Sequence, residues 1–254
     1  MTESEFDPRA LSRVGYIDFT TATFPEAVSA IIDSREHRAQ HFHLSNAYCV
    51  ALAERDVDYR AVLREGTVFA DGRPIQWVSH LRRDAHKISQ VRGPTLFELA
   101  LSEGSKHPNG VRHFLLGSSP ETLMKLTSVI SQKYANAIIC GTWSPPFRAL
   151  SPAEIQDQDD RISRSGADIV WVSLGTPKQD WECQRLTRSI GVSTVAIGAA
   201  FDFVAGTVRT APEWMSRAGL EWFFRLCSEP RRLWRRYLFG NLVFLKAVVR
   251  SWRR

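Results

Sequence analysis

The sequence lacks most of the signatures that assign a function quickly. It has four cysteines, Cys49, Cys140, Cys183 and Cys227, scattered with no CxxC pair. That pattern excludes a disulfide scaffold and a cysteine-based zinc site, and is that of reduced thiols in a cytosolic protein. There is no HExxH, no GxSxG, no Walker loop and no GxGxxG, so no standard metalloprotease, hydrolase or nucleotide motif applies. Residues 1–13 are polar and charged, without the apolar stretch of a signal peptide. The longest apolar run near the end, Tyr237 to Val249, is 13 residues and contains Asn241 and Lys246. A spanning helix needs about 20 apolar residues. With 254 residues, 44% apolar and 24% charged, the chain can bury a sizeable core, which excludes a disordered protein.

What is present is a lopsided charge. Residues 1–208 carry 22 basic and 24 acidic side chains, and residues 209–254 carry 11 and 3. A body of net charge −2 thus bears a tail of +8, which also holds four of the eight tryptophans. The chain divides on this basis into an α/β domain, 1–208, and a basic, aromatic, helical C-terminal appendage, 209–254. Basic residues interleaved with Trp, Phe and Leu suit an anionic lipid surface better than a nucleic-acid groove.

The middle of the chain alternates strands and helices. His113–Gly117, Ala137–Cys140, Ala167–Leu174 and Ser193–Ile197 read as strands. Ser119-Pro120-Glu121 and Ser151-Pro152-Ala153-Glu154 read as helix starts, the second as a capping box. Earlier, Thr23–Glu26 fits another capping box, and His41–Ser45 and Val68–Ala70 read as strands. This alternation predicts a Rossmann-like, doubly wound, largely parallel sheet, with ligands at the carboxyl ends of its strands.

Those strand ends supply the candidate residues. Asp71-Gly72 follows Val68–Ala70: a carboxylate there can act as a general base, or it can be a turn Asp. Asn46 can cap the next helix or bind a ligand. Gly175, Pro177, Lys178 and Gln179 follow the longest buried strand, where free helix N–H groups, a positive charge and an amide suit a diphosphate or sugar, or form an ordinary strand–helix turn. Asp202 sits among apolar neighbours, where a carboxylate usually has a partner: it can bind a ribose or base, or be a helix-start carboxylate. Two further patterns favour structural readings. Asp56-Val57-Asp58 matches the DxD of metal-dependent glycosyltransferases but lies in a charged turn. His41 and His43 share one face of a strand, with no third ligand at a supporting spacing.

The runs SNAYCV (45–50), FADGRPIQW (69–77), VSLGTPKQDW (172–181), GAAFDFVAGTVRTAPEWM (198–215) and GLEWFFRLCSEPRRLWRRY (219–237) resemble, in this order, the WecG/TagA/CpsF family of bacterial glycosyltransferases, glycosyltransferase family 26. The resemblance implies an inverting, metal-independent transfer from a UDP-sugar to an undecaprenyl-diphosphate-linked saccharide in cell-surface polysaccharide synthesis. It implies no cofactor, a peripheral position on the inner face of the plasma membrane, and self-association in some members. By the same resemblance Asp71 is the catalytic base. Asn46, Gly72, Gly175, Pro177, Lys178, Gln179 and Asp202 shape the donor site. Trp222, Arg225, Arg231, Arg232, Arg235, Arg236 and Tyr237 meet the acceptor diphosphate and the lipid. The chain departs from the family pattern at 89–95: Gln90 replaces the pocket Arg, and Arg92, on the same face if the segment is extended, can substitute for it, so both count as substrate-binding candidates and the donor sugar stays open. Two rivals remain at this stage. One is a non-catalytic relative that binds nucleotide-sugar or lipid carrier; the other is a basic nucleic-acid-binding protein.

Overall fold

The computed structural model describes residues 10–82 and 86–252. The side chains of Glu213, Arg217, Arg232, Arg235, Arg236, Leu238, Phe239, Ser251 and Trp252 lie outside the description. In chain order the elements are β1 (Leu11–Val14), β2 (Ile17–Thr20), α1 (Phe24–Asp33), β3 (His41–Ser45), α2 (Ala47–Arg55), α3 (Val57–Glu65), β4 (Thr67–Ala70), α4 (Arg73–Leu81) and α5 (Gly93–Gly104). Then come β5 (Arg112–Gly117), α6 (Pro120–Lys133), β6 (Ile138–Trp143), α7 (Pro152–Ser165), β7 (Ile169–Ser173), α8 (Lys178–Ile190), β8 (Ser193–Ala196) and α9 (Ala200–Val204). The tail forms α10 (Glu213–Arg217), α11 (Glu221–Ser228) and α12 (Pro230–Trp252).

These elements form two compact units. The first comprises Met1–Thr23, Ser45–Arg92 and Arg209–Arg254, and the second Phe24–Leu44 and Gly93–Val208. The chain leaves the second unit at Val208, where the charge balance changes.

The second unit is the α/β layer structure that the sequence predicts. Its strands lie parallel in the order β3-β8-β7-β5-β6. Alternation along the strands gives the sheet two apolar faces. Phe114, Leu116, Val170 and Val172 point to one face, where Ile162 of α7 and Cys183 and Leu186 of α8 cover them. Trp171 points to the other, packed edge-on against Phe97 of α5, which in turn touches Phe201 of α9. Helix starts follow their local chemistry. Ser119 accepts from Thr122 N at the start of α6, and Ser151 and Glu154 form the reciprocal capping box of α7.

The first unit is built around the β1–β2 hairpin, with Gly15-Tyr16 at its turn and β4 beside β2. Its core joins Val14, Ile17 and Phe19 of the hairpin to Cys49 and Val50 of α2, Tyr59 of α3, Ile75 of α4, and Phe244, Ala247 and Val248 of α12. The last helix is therefore two-sided. Leu233, Gly240, Phe244, Ala247 and Val248 are buried, while Trp234, Leu242, Leu245 and Val249 are exposed. Gly240 lies against Tyr48, so α12 approaches α2 closely. Among the described residues, no helix is long and apolar enough to cross a membrane.

Candidate functional site

In the first unit, Ser45 leads through Asn46 into α2, and β4 ends at Ala70. The backbone N–H of Asp71 donates to the Ser45 carbonyl at 2.8 Å, which fixes Asp71 beside Asn46. Asn46 is the N-cap of α2, and its Oδ1 accepts from Tyr48 N at 3.0 Å. The capping role predicted for it is therefore real, and it commits the oxygen only. The amide nitrogen is left as a donor with no hydrogen-bond partner among the described residues. Gly72 follows Asp71 at φ +130° and starts α4 without a side-chain cap. The Nε of Arg73, the first residue of that helix, is buried and has no hydrogen-bond partner among the described residues. Sequence reasoning passed over Arg73, whose place next to the Asp-Gly turn was the available signal.

Gln90 forms a parallel bridge with Ala70, and Val91 N donates to the Ala70 carbonyl at 2.8 Å. The departure from the family pattern thus lies alongside the residue that precedes Asp71. Arg92, two residues on, donates to Glu221 of α11 at 3.0 Å. In the same tail Trp222 stacks edge-on against Phe223, and it also meets the Tyr237 ring at 5.9 Å between centroids. Arg225 is half-buried and Arg231 is exposed. Arg232, Arg235 and Arg236 lie on α12 with side chains outside the described ones. Trp214, 65% accessible, and Phe223 face solvent.

In the second unit, polar groups gather beyond the carboxyl ends of β5, β7 and β8. Gly175, Pro177 and Lys178 form the turn into α8, and Pro177, the N-cap, makes no side-chain cap bond. Gln179 is buried, and its Oε1 accepts from Gly198 N at 3.1 Å. Because a backbone N–H must meet an oxygen, that contact fixes the orientation of the amide. The nitrogen then has no hydrogen-bond partner among the described residues, as in Asn46. Asp202 has the partner that its apolar surroundings demanded: Oδ1 accepts from Ser118 Oγ at 3.0 Å and Thr122 Oγ1 at 3.3 Å.

Ser118 and Thr122 escaped the sequence reading because they lie about eighty residues from Asp202. Ser118 sits at φ +60°, after Gly117 at φ +112°. A Cβ at Gly117 would fall 2.3 Å from the Ser173 carbonyl oxygen, so only glycine permits that turn. Gly117 Cα and the Ser118 N–H, which donates to Ser173 O at 3.0 Å, bring the ends of β5 and β7 together.

The other two patterns have structural roles. Asp56 caps α3, accepting from Tyr59 N at 2.9 Å. His41 and His43 do share a face, and Nδ1 of His41 lies 2.7 Å from Nε2 of His43. Nδ1 of His43 donates to Asp180 at 2.8 Å, a carboxylate that sequence spacing did not pair with them. Burial, followed by His43 and Arg188, pushes the His41 pKa down to about 3. Burial does the same to His113, also to about 3, and its Nδ1 accepts from Trp171 Nε1 at 3.0 Å. Among the described residues, no group of three His, Cys, Asp or Glu side chains is placed to hold a metal ion.

In the second unit the amide of Gln179, Lys178 and the partnered carboxylate of Asp202 lie beyond the ends of parallel strands, and this defines a class. This is a doubly wound α/β protein whose loops are suited to an oxygen-rich ligand. Comparison with known proteins then gives the family. The profile of the glycosyl transferase WecG/TagA/CpsF family matches residues 13–254, and the chain belongs to that family. One relative, from Bacillus subtilis (strain 168), is N-acetylglucosaminyldiphosphoundecaprenol N-acetyl-beta-D-mannosaminyltransferase. It is 31% identical over 191 residues, covering 73% of this chain and 70% of the relative.

Proposed function

We propose that this chain is an inverting glycosyltransferase that needs no metal. It moves a hexose or N-acetylhexosamine from a UDP-sugar to a saccharide carried on undecaprenyl diphosphate. The name of the Bacillus subtilis relative supports the acceptor class, and a donor of its N-acetylmannosaminyl group is the first to test. The observation that carries the reading is Asp71, held at the end of β4 by its own N–H to Ser45 and set beside the open amide donor of Asn46.

In this reading the Asp71 carboxylate takes the proton of the acceptor hydroxyl. The freed oxygen attacks the anomeric carbon from the face opposite UDP, and the glycosidic electron pair leaves with the diphosphate. In the second unit Gln179 offers an N–H group to the acceptor oxygens of a nucleotide sugar; in the first, Asn46 offers one beside Asp71. Lys178 meets diphosphate charge, and Asp202 accepts from donor hydroxyls. In the tail Arg225, Arg231, Arg232, Arg235 and Arg236 bind the acceptor diphosphate, as guanidinium forks do. The exposed Trp214, Phe223 and Trp234 rest in the lipid interface on the inner face of the membrane.

The test is UDP release from a panel of UDP-sugars, with and without a short lipid-diphosphate N-acetylglucosamine acceptor. Release that requires the acceptor supports the reading and identifies the donor. UDP binding without turnover for any donor would favour a non-catalytic relative.

A further inference from the structure

The second unit contains a buried polar chain that the proposed chemistry does not use. Asp180 is 1% accessible and His43 0%, and they meet at 2.8 Å. His41, 6% accessible, continues the line from His43 at 2.7 Å, with the two rings edge-on. His43 has both nitrogens engaged, one toward each neighbour. With Asp180 ionised, Nδ1 of His43 carries the proton. With both rings neutral, His41 Nδ1–H then donates to the bare Nε2 of His43.

Stability alone is a poor explanation for this arrangement. A buried carboxylate loses hydration that its hydrogen bonds repay only in part, and well-packed apolar residues often do as well. Helix α8 already has such an anchor in Cys183 and Leu186. What α8 lacks is a side-chain cap: Pro177 offers none, and the first turn closes on backbone carbonyls, Gln179 N donating to Gly175 O and Asp180 N to Pro177 O, each at 3.0 Å. Two consecutive buried side chains then tie that turn to the rest of the unit. Gln179 binds Gly198 N, and Asp180 binds His43 on β3. Buried hydrogen-bonded networks of this sort fix one geometry.

We infer that the Asp180–His43–His41 chain is a positioning device, which locks the first turn of α8 so that the amide nitrogen of Gln179 is presented to the diphosphate or uridine of a donor nucleotide. The inference rests on the reading of Gln179 as a donor-site residue. Asp180, His43 and His41 bind one another and are assigned no contact with the ligand, so they are positioning residues. Hydrogen bonds weaken steeply as their geometry departs from ideal, so a measurable loss of affinity is expected when the chain is cut.

The experiment is a double-mutant cycle on the full chain, with UDP as the probe and calorimetry as the readout. His43→Phe keeps a ring of similar size and removes both hydrogen bonds. Asp180→Asn keeps the shape of the carboxylate and removes its charge, so it carries the same comparison if His43→Phe does not fold. Each is measured alone and with Gln179→Ala, with folding checked by near-UV circular dichroism. The expected result is that His43→Phe weakens UDP binding about 10-fold in the natural sequence, Asp180→Asn by a smaller factor, and neither by more than about 2-fold once Gln179 is alanine. Equal losses with and without Gln179 would assign the chain a general structural role and overturn the inference. So would unchanged UDP affinity in the two variants while Gln179→Ala weakens it. Unchanged affinity in Gln179→Ala itself would instead overturn the donor-site reading, and the inference with it.

Discussion

Arg92 donates to Glu221 at 3.0 Å, and this pair ties the segment after Gln90 to the start of α11. Each side chain is 27% accessible, and such partly exposed pairs contribute about 0–1 kcal/mol. Glu221→Gln should therefore lower unfolding free energy by less than about 1 kcal/mol in a urea titration. If Arg92 serves substrate in place of the family's pocket Arg, Arg92→Ala should lower kcat/KM by more than about 10-fold with no larger loss of stability. Equal, small effects of both changes on activity would make the pair a surface contact only.

Gly219, between α10 and α11, has φ +69°, and a Cβ there would fall 2.4 Å from Cη2 of Trp77. Backbone strain at such a position costs about 1–3 kcal/mol before any clash. Gly219→Ala should displace α11 from the Trp77 ring, with a drop in melting temperature and a change in tryptophan fluorescence. Trp77→Ala combined with Gly219→Ala should recover part of the loss, because the clash is removed and the strain remains.

The two faces of α12 separate stability from surface binding. Phe244 is buried in the core of the first unit, and Phe→Ala changes in cores cost about 3–5 kcal/mol. Phe244→Ala should lower the denaturation midpoint sharply. Leu242 and Leu245 are more than half exposed. Leu242→Ser with Leu245→Ser should leave the midpoint nearly unchanged and weaken binding to phosphatidylglycerol vesicles. Removing residues after 212 would take away both faces, so loss of vesicle binding on truncation would not isolate the interface.

Acid should destabilise the protein through its buried histidines. Folded His41 and His113 hold their pKa values near 3, against 6.5 ordinarily. Between those values the unfolded chain binds protons that the folded chain does not. The contribution of the neutral rings is thus fully present above about pH 6.5 and is lost as pH falls toward 3. Each group adds about 1.4 kcal/mol per pH unit to the slope in that window. His113→Gln keeps an acceptor for Trp171 and removes one titrating ring. Its unfolding free energy, followed from pH 6.5 to 4, should fall less steeply than that of the natural sequence.

Much of the second unit was legible in the sequence because its signals are local. Ser119-Pro120 and Ser151–Glu154 mark helix starts by their own chemistry, and runs such as Ile169–Ser173 are apolar enough to be buried strands. Asp71, Asn46, Gln179 and Asp202 were legible as residues at strand ends. Their partners were not, because Ser118, Thr122 and Asp180 meet Asp202 and His43 across 80 or more residues of chain. The hairpin Leu11–Thr20 was missed because polarity does not follow burial along it: Leu11 is exposed while Ser12 is buried. Helix α5 was missed because it opens on Gly93-Pro94, which reads as a breaker. The tail 209–254 read as a basic, aromatic appendage for a lipid surface, but one side of its last helix is core.

The most direct test of the central claim is the transfer rate of Asp71→Asn with the UDP-sugar that the natural sequence uses, measured beside its UDP affinity. The account predicts a fall of about 10²–10⁴-fold in transfer, the range for loss of a general base, with UDP affinity kept within a few-fold. Transfer at the natural rate in that variant would remove Asp71 from the mechanism and contradict the account.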